Sequence, residues 1–449
     1  MEHDVLKWIK IDNSARIYPM IYSENGQNIF RIAFEMNGAV DPVILHRAVR
    51  DVLPRYPSFK VRMKKGLFWY FFEENATLPV IFKDKDVRLD KIDFHANNNY
   101  IFRVCYHKNV ISLDFNHTVT DGKGGVEFTK AVIFRYLEIS GYKVCGEGLI
   151  KALDAPPSGG EIEDSFLNNY KRVPIKDIEL GDILGKKGYS INGAPLEDAA
   201  IGIINGHCSV ASVKAAAKKY GATVTEYLCG LFMYSIYMTN NNAKKRPIKL
   251  LIPINLRKIF NSETLRNFSF ITTAIAEVKE PSLKFDYFIE CVKARLANAV
   301  DPSAISKKVA GMVKLDKNMF IKLIPLPLKF IIFRSGKKII STFRSSTAIL
   351  TNPGVIDIPE SMKPYVRHIN MALIPTQNAT LNCAVISCKD EISITFARRC
   401  NDVDIIRFFF SVMTGEGADL TLTSNYAELK DFSGATAKTK GSGENEPLL

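Results

Sequence analysis

A strand, a turn and a helix between residues 110 and 141 constrain this chain most. Apolar and polar residues alternate from Ile111 to Asn116, which predicts a half-buried strand that ends at His117. A helix is predicted downstream, because apolar side chains recur there at helical spacing: Phe128, Ala131, Val132, Tyr136 and Ile139. Glycines lie between the two elements, so a ligand can approach the backbone beside His117 closely.

Residues 117 to 122 contain a histidine, an aspartate and a glycine in the order His-x-x-x-Asp-Gly. After an apolar strand and before a helix, this spacing resembles the HxxxDG motif of the chloramphenicol-acetyltransferase-like superfamily of CoA-dependent acyltransferases. That group includes alcohol O-acetyltransferases and the condensation domains of nonribosomal peptide synthetases. The resemblance implies an α/β fold of two lobes, each a mixed sheet flanked by helices, with the active site in a channel between them.

Four further segments resemble the same superfamily and occur in the expected order. They are DPVILHRAVRDVLPRYPSFKVRM (41–63), VASVKAAAKKYGATVTEYLCGLF (210–232), IKLLIPINLRK (248–258) and LTNPGVIDIP (350–359). We therefore predict an N-terminal lobe over 1–141 and a C-terminal lobe over 201–413. Residues 142–200 are enriched in Gly, Pro and acidic residues and are predicted to link the lobes. The polar residues 414–449 are expected to form a disordered tail.

Local patterns predict several element boundaries. Asp41 is expected to cap a helix that has Pro42 at its first position, and Ser209 a second helix. Thr223 or Thr225 is expected to cap a third. The segment ARIYPMIYS, residues 15–23, is interpreted as a strand.

His117 is the candidate general base. Acyl transfer from a thioester requires a group that takes the proton of the acceptor, and imidazole suits neutral pH. No GxSxG elbow is present, and the resemblance implies direct attack of the acceptor on the thioester. We therefore expect acyl-CoA as co-substrate, with an acetyl group as the favoured acyl group and a small alcohol or amine as acceptor. No cofactor is expected to be bound permanently.

Asp121 has more than one interpretation. Its carboxylate could orient the imidazole of His117, or it could simply cap the following helix. The resemblance implies instead that this aspartate points away from the acceptor and pairs with an arginine of the second lobe, for which Arg257 is the candidate. An arginine fork can hold a carboxylate through two hydrogen bonds. Gly122 is expected to keep the channel beside His117 open.

Three further residues are candidates for shaping the site. Condensation domains carry a second histidine where this chain has Asn116, which favours a free-standing CoA-dependent O-acyltransferase over a peptide-forming enzyme. Thr351 or Asn352 could donate a hydrogen bond to the developing oxyanion. Alternatively, Asn352-Pro353-Gly354 forms only a turn.

Charge and cysteine content limit the possible partners. The net charge of +13 suits anionic partners. No nucleic-acid-binding motif appears, so the chain is not predicted to bind nucleic acid. Residues 303–345 hold ten Lys and Arg against Asp316 alone, and they are interleaved with apolar residues. This stretch contacts an anionic membrane surface, borders a CoA phosphate site, or forms core helices whose lysines reach water. Eight scattered cysteines without a metal-ligand spacing predict neither disulfides nor a bound metal. The N-terminus has no secretory signal, and we expect a cytoplasmic monomer.

Two alternative functions stay open. One is a carrier-protein-dependent condensation or polyketide-associated acyltransferase, because CoA and carrier proteins both present a thioester on the same arm. The other is a non-catalytic relative that acts as a membrane-surface binding module.

Overall fold

The fold is described from a computed structural model of the chain. It describes residues 8–21, 28–84, 89, 91–170, 187–196, 201–240, 246–278, 282–335, 346–376, 379–425 and 436–439. Helices and strands alternate along this length, and the strands form one small and two large sheets.

The strands in chain order are β1 Trp8–Lys10, β2 Ile29–Met36, β3 Val61–Lys65, β4 Tyr70–Glu74, β5 Ile81–Lys83, β6 Phe102–His107, β7 Val110–Asn116, β8 Gly202–Ser209, β9 Ile248–Asn255, β10 Ser269–Ala276, β11 Ala348–Thr351, β12 Val366–Leu373, β13 Leu381–Cys388, β14 Glu391–Arg398, β15 Thr421–Ser424 and β16 Thr436–Thr439.

The α-helices are α1 Tyr18–Ile21, α2 Pro42–Val52, α3 Gly122–Ile139, α4 Gly159–Ile162, α5 Ser165–Asn168, α6 Val210–Lys219, α7 Val224–Thr239, α8 Arg257–Phe260, α9 Phe285–Ala299, α10 Pro302–Lys317, α11 Met319–Leu323, α12 Leu326–Ser335 and α13 Asp404–Gly415. Short 3₁₀ helices cover Ser14–Ile17, Leu53–Arg55 and Glu360–Tyr365.

The first large sheet has the strand order β12-β2-β7-β6-β5 and carries α2 and α3 on one face. Its strands pair antiparallel except β5 with β6, so the sheet is mixed. The edge strand β12 comes from the second half of the chain and pairs with β2, with Met371 opposite Ile32. The pairing of β12 with β2 was not predicted from the sequence, and it connects the two halves of the chain.

The second large sheet has the order β10-β9-β11-β13-β14-β8-β15-β16 and is also mixed. Helix α7 contacts α9, α13 and β9, and its buried face includes Leu228, Leu231, Phe232, Ser235 and Ile236 as predicted. Strand β12 also contacts β13 and β14. The two large sheets therefore meet along β12.

Three predicted helix starts are confirmed. The side chain of Asp41 accepts hydrogen bonds from the amides of Val43 and Ile44, and Pro42 takes the first position of α2. Ser209 caps α6, and Thr223, not Thr225, caps α7. These starts were predictable because a cap depends only on residues within one turn.

The strand predicted over residues 15–23 is wrong in its described part. Ser14–Ile17 is a 3₁₀ helix and Tyr18–Ile21 an α-helix. The buried carboxylate of Asp12 accepts a hydrogen bond from the Ala15 amide at 2.8 Å, which starts a helical turn. Alternation of apolar residues cannot reveal such a bond. Residues 22 and 23 lie outside the described residues.

The tail predicted over 414–449 is wrong for its described part. Helix α13 continues to Gly415, and β15 pairs with β8, with Leu422 fully buried. Strand β16 pairs with β15 in parallel. The polar residues of these strands mask their signal, because only Leu422 is large and apolar in β15. The predicted linker over residues 142–200 stays a prediction. Within the described residues, no helix is long and apolar enough to cross a membrane.

Candidate active site

His117 directly follows β7, the middle strand of the first large sheet. Its amide donates a hydrogen bond to the carbonyl oxygen of Asn28 at 2.8 Å. Its ring lies beside the rings of Tyr18 and Phe30, with centroid distances of 5.4 and 4.6 Å. Two aromatic rings thus fix the imidazole at the end of a paired strand.

The surroundings of His117 favour its neutral form. Burial lowers the pKa of His117 to about 4, against a smaller opposing effect of the Asp121 charge. Within the described residues, its Nδ1 atom is buried without a hydrogen-bond partner. At neutral pH the ring is therefore an unprotonated imidazole, the form that a general base requires.

Asp121 and Arg257 form the predicted pair. Both carboxylate oxygens accept from the guanidinium at 2.9 Å, and both side chains are buried. Asp121 also accepts from the amides of Phe268 at 2.9 Å and Gly124 at 3.2 Å. Burial raises the pKa of Asp121, but Arg257 and these amides outweigh it and hold that pKa below its usual value. These four bonds account for the carboxylate, and none of them goes to His117.

Arg257 is itself held by the backbone around it. Its Nε donates to the carbonyl oxygen of Thr264 at 2.7 Å and its Nη2 to that of Arg266 at 2.6 Å. The Asn255 side chain accepts from Nη1 at 3.2 Å. The guanidinium therefore joins the loop after β7 to the segment between α8 and β10.

That segment, residues 264–268, contacts the histidine loop, residues 117–121 between β7 and α3, at two more points. Asn267 Nδ2 donates to the carbonyl oxygen of His117 at 2.9 Å and lies 3.3 Å from the buried carboxylate of Asp12. The hydroxyl of Thr120 donates to the carbonyl oxygen of Leu265 at 2.6 Å. Sequence reasoning missed Asp12, Thr120 and Asn267; the only signal was a polar Arg266-Asn267 pair between the apolar Leu265 and Phe268.

The glycines in the first turn of α3 differ in how tightly they are packed. A Cβ at Gly122 would lie 3.1 Å from the methyl group of Met371. At Gly124 it would lie 2.0 Å from the carbonyl oxygen of Leu265. The sequence singled out Gly122, but Gly124 is the position where α3 packs directly on backbone.

Asn116 shapes the loop from within. Its Oδ1 accepts from the amide of Thr118 at 2.9 Å and from the Thr118 hydroxyl at 2.6 Å. The side chain is buried. Asn116 thus stabilises the turn that carries His117.

Thr351 and Asn352 lie at the end of β11, which runs parallel to β9. Because β9 leads into Arg257, Thr351 is at the same end of the second sheet as the Asp121 pair. The side-chain Nδ2 of Asn352 donates to the Thr225 hydroxyl at 3.0 Å, and its Oδ1 accepts from the backbone amide of Gly354 at 2.9 Å. These bonds favour the turn interpretation for Asn352.

A cavity lies between the two large sheets. It is lined by residues of both sheets, among them Arg31, Asn205, Asn370 and Met371. None of residues 116–124 is among the residues that line it, so the cavity is distinct from the surroundings of His117.

Of the described residues, one trio brings metal-ligand atoms together: His207, His368 and Glu391. His368 Nδ1 lies 2.9 Å from both Glu391 oxygens, and His207 Nδ1 lies 3.4 Å from one of them. The two rings stack at 4.0 Å, closer than the roughly 5 Å that two imidazoles keep around one zinc ion. The trio is arranged as a histidine pair sharing one carboxylate.

Comparison with known proteins bears on the fold. No protein-family model and no curated protein sequence matches the chain. Among solved structures, polyketide synthase associated protein 5 from Mycobacterium tuberculosis superposes with a TM-score of 0.59 at 11% identity, covering 92% of this chain and 98% of its own.

Two further solved structures are also similar. Trichothecene 15-O-acetyltransferase TRI3 from Fusarium sporotrichioides has a TM-score of 0.58 at 9% identity, with 91% of this chain and 94% of that one covered. TRI101 from F. sporotrichioides, complexed with coenzyme A and T-2, has a TM-score of 0.54 at 12% identity, with 92% and 99% covered. At such identities the likeness shows the fold alone, and it confirms the predicted two-lobed α/β class.

Proposed function

We propose that this chain is an acyltransferase in which His117 is the general base. The acceptor oxygen or nitrogen forms a bond to the thioester carbonyl carbon while the imidazole takes the acceptor proton. The carbon–sulfur bond then breaks, and the proton passes to the leaving thiolate. The observation that carries this proposal is a neutral imidazole at a strand end, on a loop held by Asp121 and Arg257.

Asp121 is assigned a positioning role. Its oxygens are engaged by Arg257 and two backbone amides, so it fixes the loop without exchanging a proton with the acceptor. Gly122 leaves space beside Met371, and Asn116 holds the turn. Thr351 is the candidate oxyanion donor, because the Asn352 amide is engaged in its own turn.

Acyl-CoA is the proposed donor, an acetyl group the favoured acyl group and an alcohol the favoured acceptor, in a monomer. The structural likeness to TRI3 and TRI101 supports this choice, as does the net charge of +13, which attracts the CoA phosphates. Likeness to a polyketide synthase associated protein supports a second candidate, in which the thioester is delivered by a carrier protein. Release of free thiol from acyl-CoA or from an acylated carrier protein separates the two.

The test is the rate of thiol release by wild type and His117→Ala with acetyl-CoA and a panel of short alcohols and amines. Loss of the base should lower the rate by about 10²-fold or more at unchanged fold. His46→Ala, at an exposed position of α2, is the matched control and should retain the wild-type rate. Turnover by His117→Ala close to the wild-type rate would sink the mechanism, and no turnover by wild type with any donor would favour a non-catalytic binding module.

The same rates measured against pH test the state of the imidazole. Protonation removes the base, so kcat/KM should fall as pH drops through the pKa of His117, near pH 4 instead of near 6.5. Folding stability already decreases as pH falls from about 6.5 to about 4, since over that range the unfolded chain binds a proton at His117 and the folded chain does not. Circular dichroism at each pH must therefore show that the protein is folded. An acid limb near 6.5 in folded protein contradicts the buried, neutral histidine.

A further inference from the structure

Helices α11 and α12 carry an apolar surface that no described residue covers. Five large apolar side chains on them are each more than half exposed, and so is Leu67 in the turn between β3 and β4. They are Met319 (71%), Leu323 (60%), Leu328 (51%), Ile331 (60%), Ile332 (53%) and Leu67 (69%). Single exposed apolar residues are ordinary, but several at helical spacing on two successive helices, Met319 with Leu323 and Leu328 with Ile331 and Ile332, mark an interaction surface.

Helix α12 is attached to the small sheet β1-β4-β3, and its Lys329 also donates to the carbonyl oxygen of Lys322 in α11 at 3.3 Å. The Leu326 amide donates to the carbonyl oxygen of Leu67 at 2.8 Å. Lys329 is buried, donates to the carbonyl oxygen of Phe68 at 2.9 Å and lies 3.6 Å from the centroid of the Trp69 ring. Phe330 packs edge-on against Tyr70. The apolar side chains are therefore displayed on an anchored element.

Exposed lysines lie next to these apolar side chains in the sequence. Lys317 and Lys322 are exposed at the end of α10 and within α11. Over residues 303–345 the sequence has ten basic residues and one acidic residue. A matching partner must be apolar where it meets the leucines and isoleucines and negatively charged where it meets the lysines. An anionic lipid bilayer has both properties, with acyl chains beneath charged headgroups.

A short series of contacts connects this surface to His117. The Trp69 ring lies against Lys329 on one side and within 5.4 Å of the Arg16 guanidinium. Arg16 is two residues before Tyr18, whose ring stacks on His117. The surface and the histidine are thus on neighbouring parts of the same scaffold.

We propose that Leu67, α11 and α12 form a docking surface for an anionic lipid bilayer. The apolar side chains enter the headgroup region while Lys317 and Lys322 contact the anionic headgroups. If His117 is the base of an acyltransferase, docking places an acceptor alcohol dissolved in the bilayer near the site. Only this last consequence rests on the proposed function.

Co-sedimentation with vesicles tests the docking. Wild type should sediment with phosphatidylcholine vesicles that contain phosphatidylglycerol at low salt, and far less with phosphatidylcholine alone. Lys322→Gln should weaken binding roughly fivefold, since one basic residue near such a surface contributes about 1 kcal/mol. Ile331→Gln combined with Ile332→Gln should weaken it about tenfold or more. The matched controls are Val43→Gln and Val355→Gln, which alter valines that are 67% and 63% exposed elsewhere and should bind as wild type.

The outcomes separate the surface from the chemistry. Absence of wild-type binding to anionic vesicles overturns the proposal, and so does binding that the α11 and α12 variants leave unchanged. A dimer seen by light scattering that the same variants dissociate, without vesicle binding, assigns the surface to self-association and also overturns it. Thiol release with a water-soluble acceptor, measured without vesicles, should be equal in wild type and variants, which keeps a failed docking surface distinct from a failed acyltransferase.

Discussion

Asp121 and Arg257 are the residues on which the geometry of the histidine loop depends most. The resemblance to the acyltransferase superfamily predicted both, because each lies in a short segment that resembles a motif of that superfamily. The sequence did not predict Asn267 or Asp12. Asn267 bonds to the carbonyl oxygen of His117, 150 positions away in the chain, and to Asp12, 255 positions away. Such bonds leave no local pattern, since either partner could be any buried polar residue.

A double-mutant cycle tests the Asp121–Arg257 pair. Asp121→Asn and Arg257→Met should each lower the free energy of unfolding by about 3 kcal/mol or more, because each leaves a buried charge without its partner. Each should also lower the acyl-transfer rate. The double variant should lose much less than the sum of the two, since both changes remove the same interaction. Urea denaturation of the four proteins provides the free energies.

Two results contradict this interpretation. Additive losses in the double variant mean that the two residues are energetically independent. Unchanged stability in Asp121→Asn together with abolished turnover assigns the carboxylate a direct catalytic role.

At the scale of elements, the sequence predicted where helices begin but not what they pack against. The caps of α2, α6 and α7 are local and were predictable. The turns at residues 14–21 and strand β15 were not, because a buried carboxylate and a neighbouring strand determine them. The start of α3 shows the same division: Asp121 signals the helix, whereas its contact with residues 264–268 has no signature.

Gly124→Ala tests that contact. The new methyl group would lie 2.0 Å from a backbone oxygen of Leu265, so α3 or residues 264–268 must move. We expect a loss of about 3 kcal/mol in unfolding free energy despite the better helix propensity of alanine. Gly122→Ala is the control: its methyl group meets the flexible end of Met371 at 3.1 Å and should cost much less. Equal losses at the two positions, by thermal or urea unfolding, contradict close packing at Gly124.

At the scale of the whole molecule, β12 makes the two large sheets interdependent. It is the edge strand of the first sheet and contacts β13 and β14 of the second. The resemblance to two-lobed acyltransferases predicted the lobes, but no periodicity in residues 366–373 reveals that their partner is β2 and not a nearer strand. Pairing across some 330 positions is a property of the fold.

We therefore expect the full chain to unfold in a single cooperative transition, as followed by far-ultraviolet circular dichroism in urea. A fragment of residues 1–200 lacks β12, so β2 exposes an unpaired apolar edge and the sheet is incomplete. This fragment should show no cooperative transition. A sharp transition in the fragment, or two separated transitions in the full chain, shows that the first sheet folds independently.

The small three-stranded sheet also determines what tryptophan fluorescence measures in this molecule. The chain has two tryptophans, and both belong to this sheet: Trp8 lies in β1, and Trp69 in the turn between β3 and β4, between Lys329 and Arg16. The emission of both therefore reports on this sheet, and that of Trp69 originates next to Lys329 of α12. A blue shift of the exposed Trp8 on adding vesicles would place that indole in the headgroup region. A melting curve followed by fluorescence reports the unfolding of this sheet, and in a single cooperative transition it coincides with the curve followed by circular dichroism.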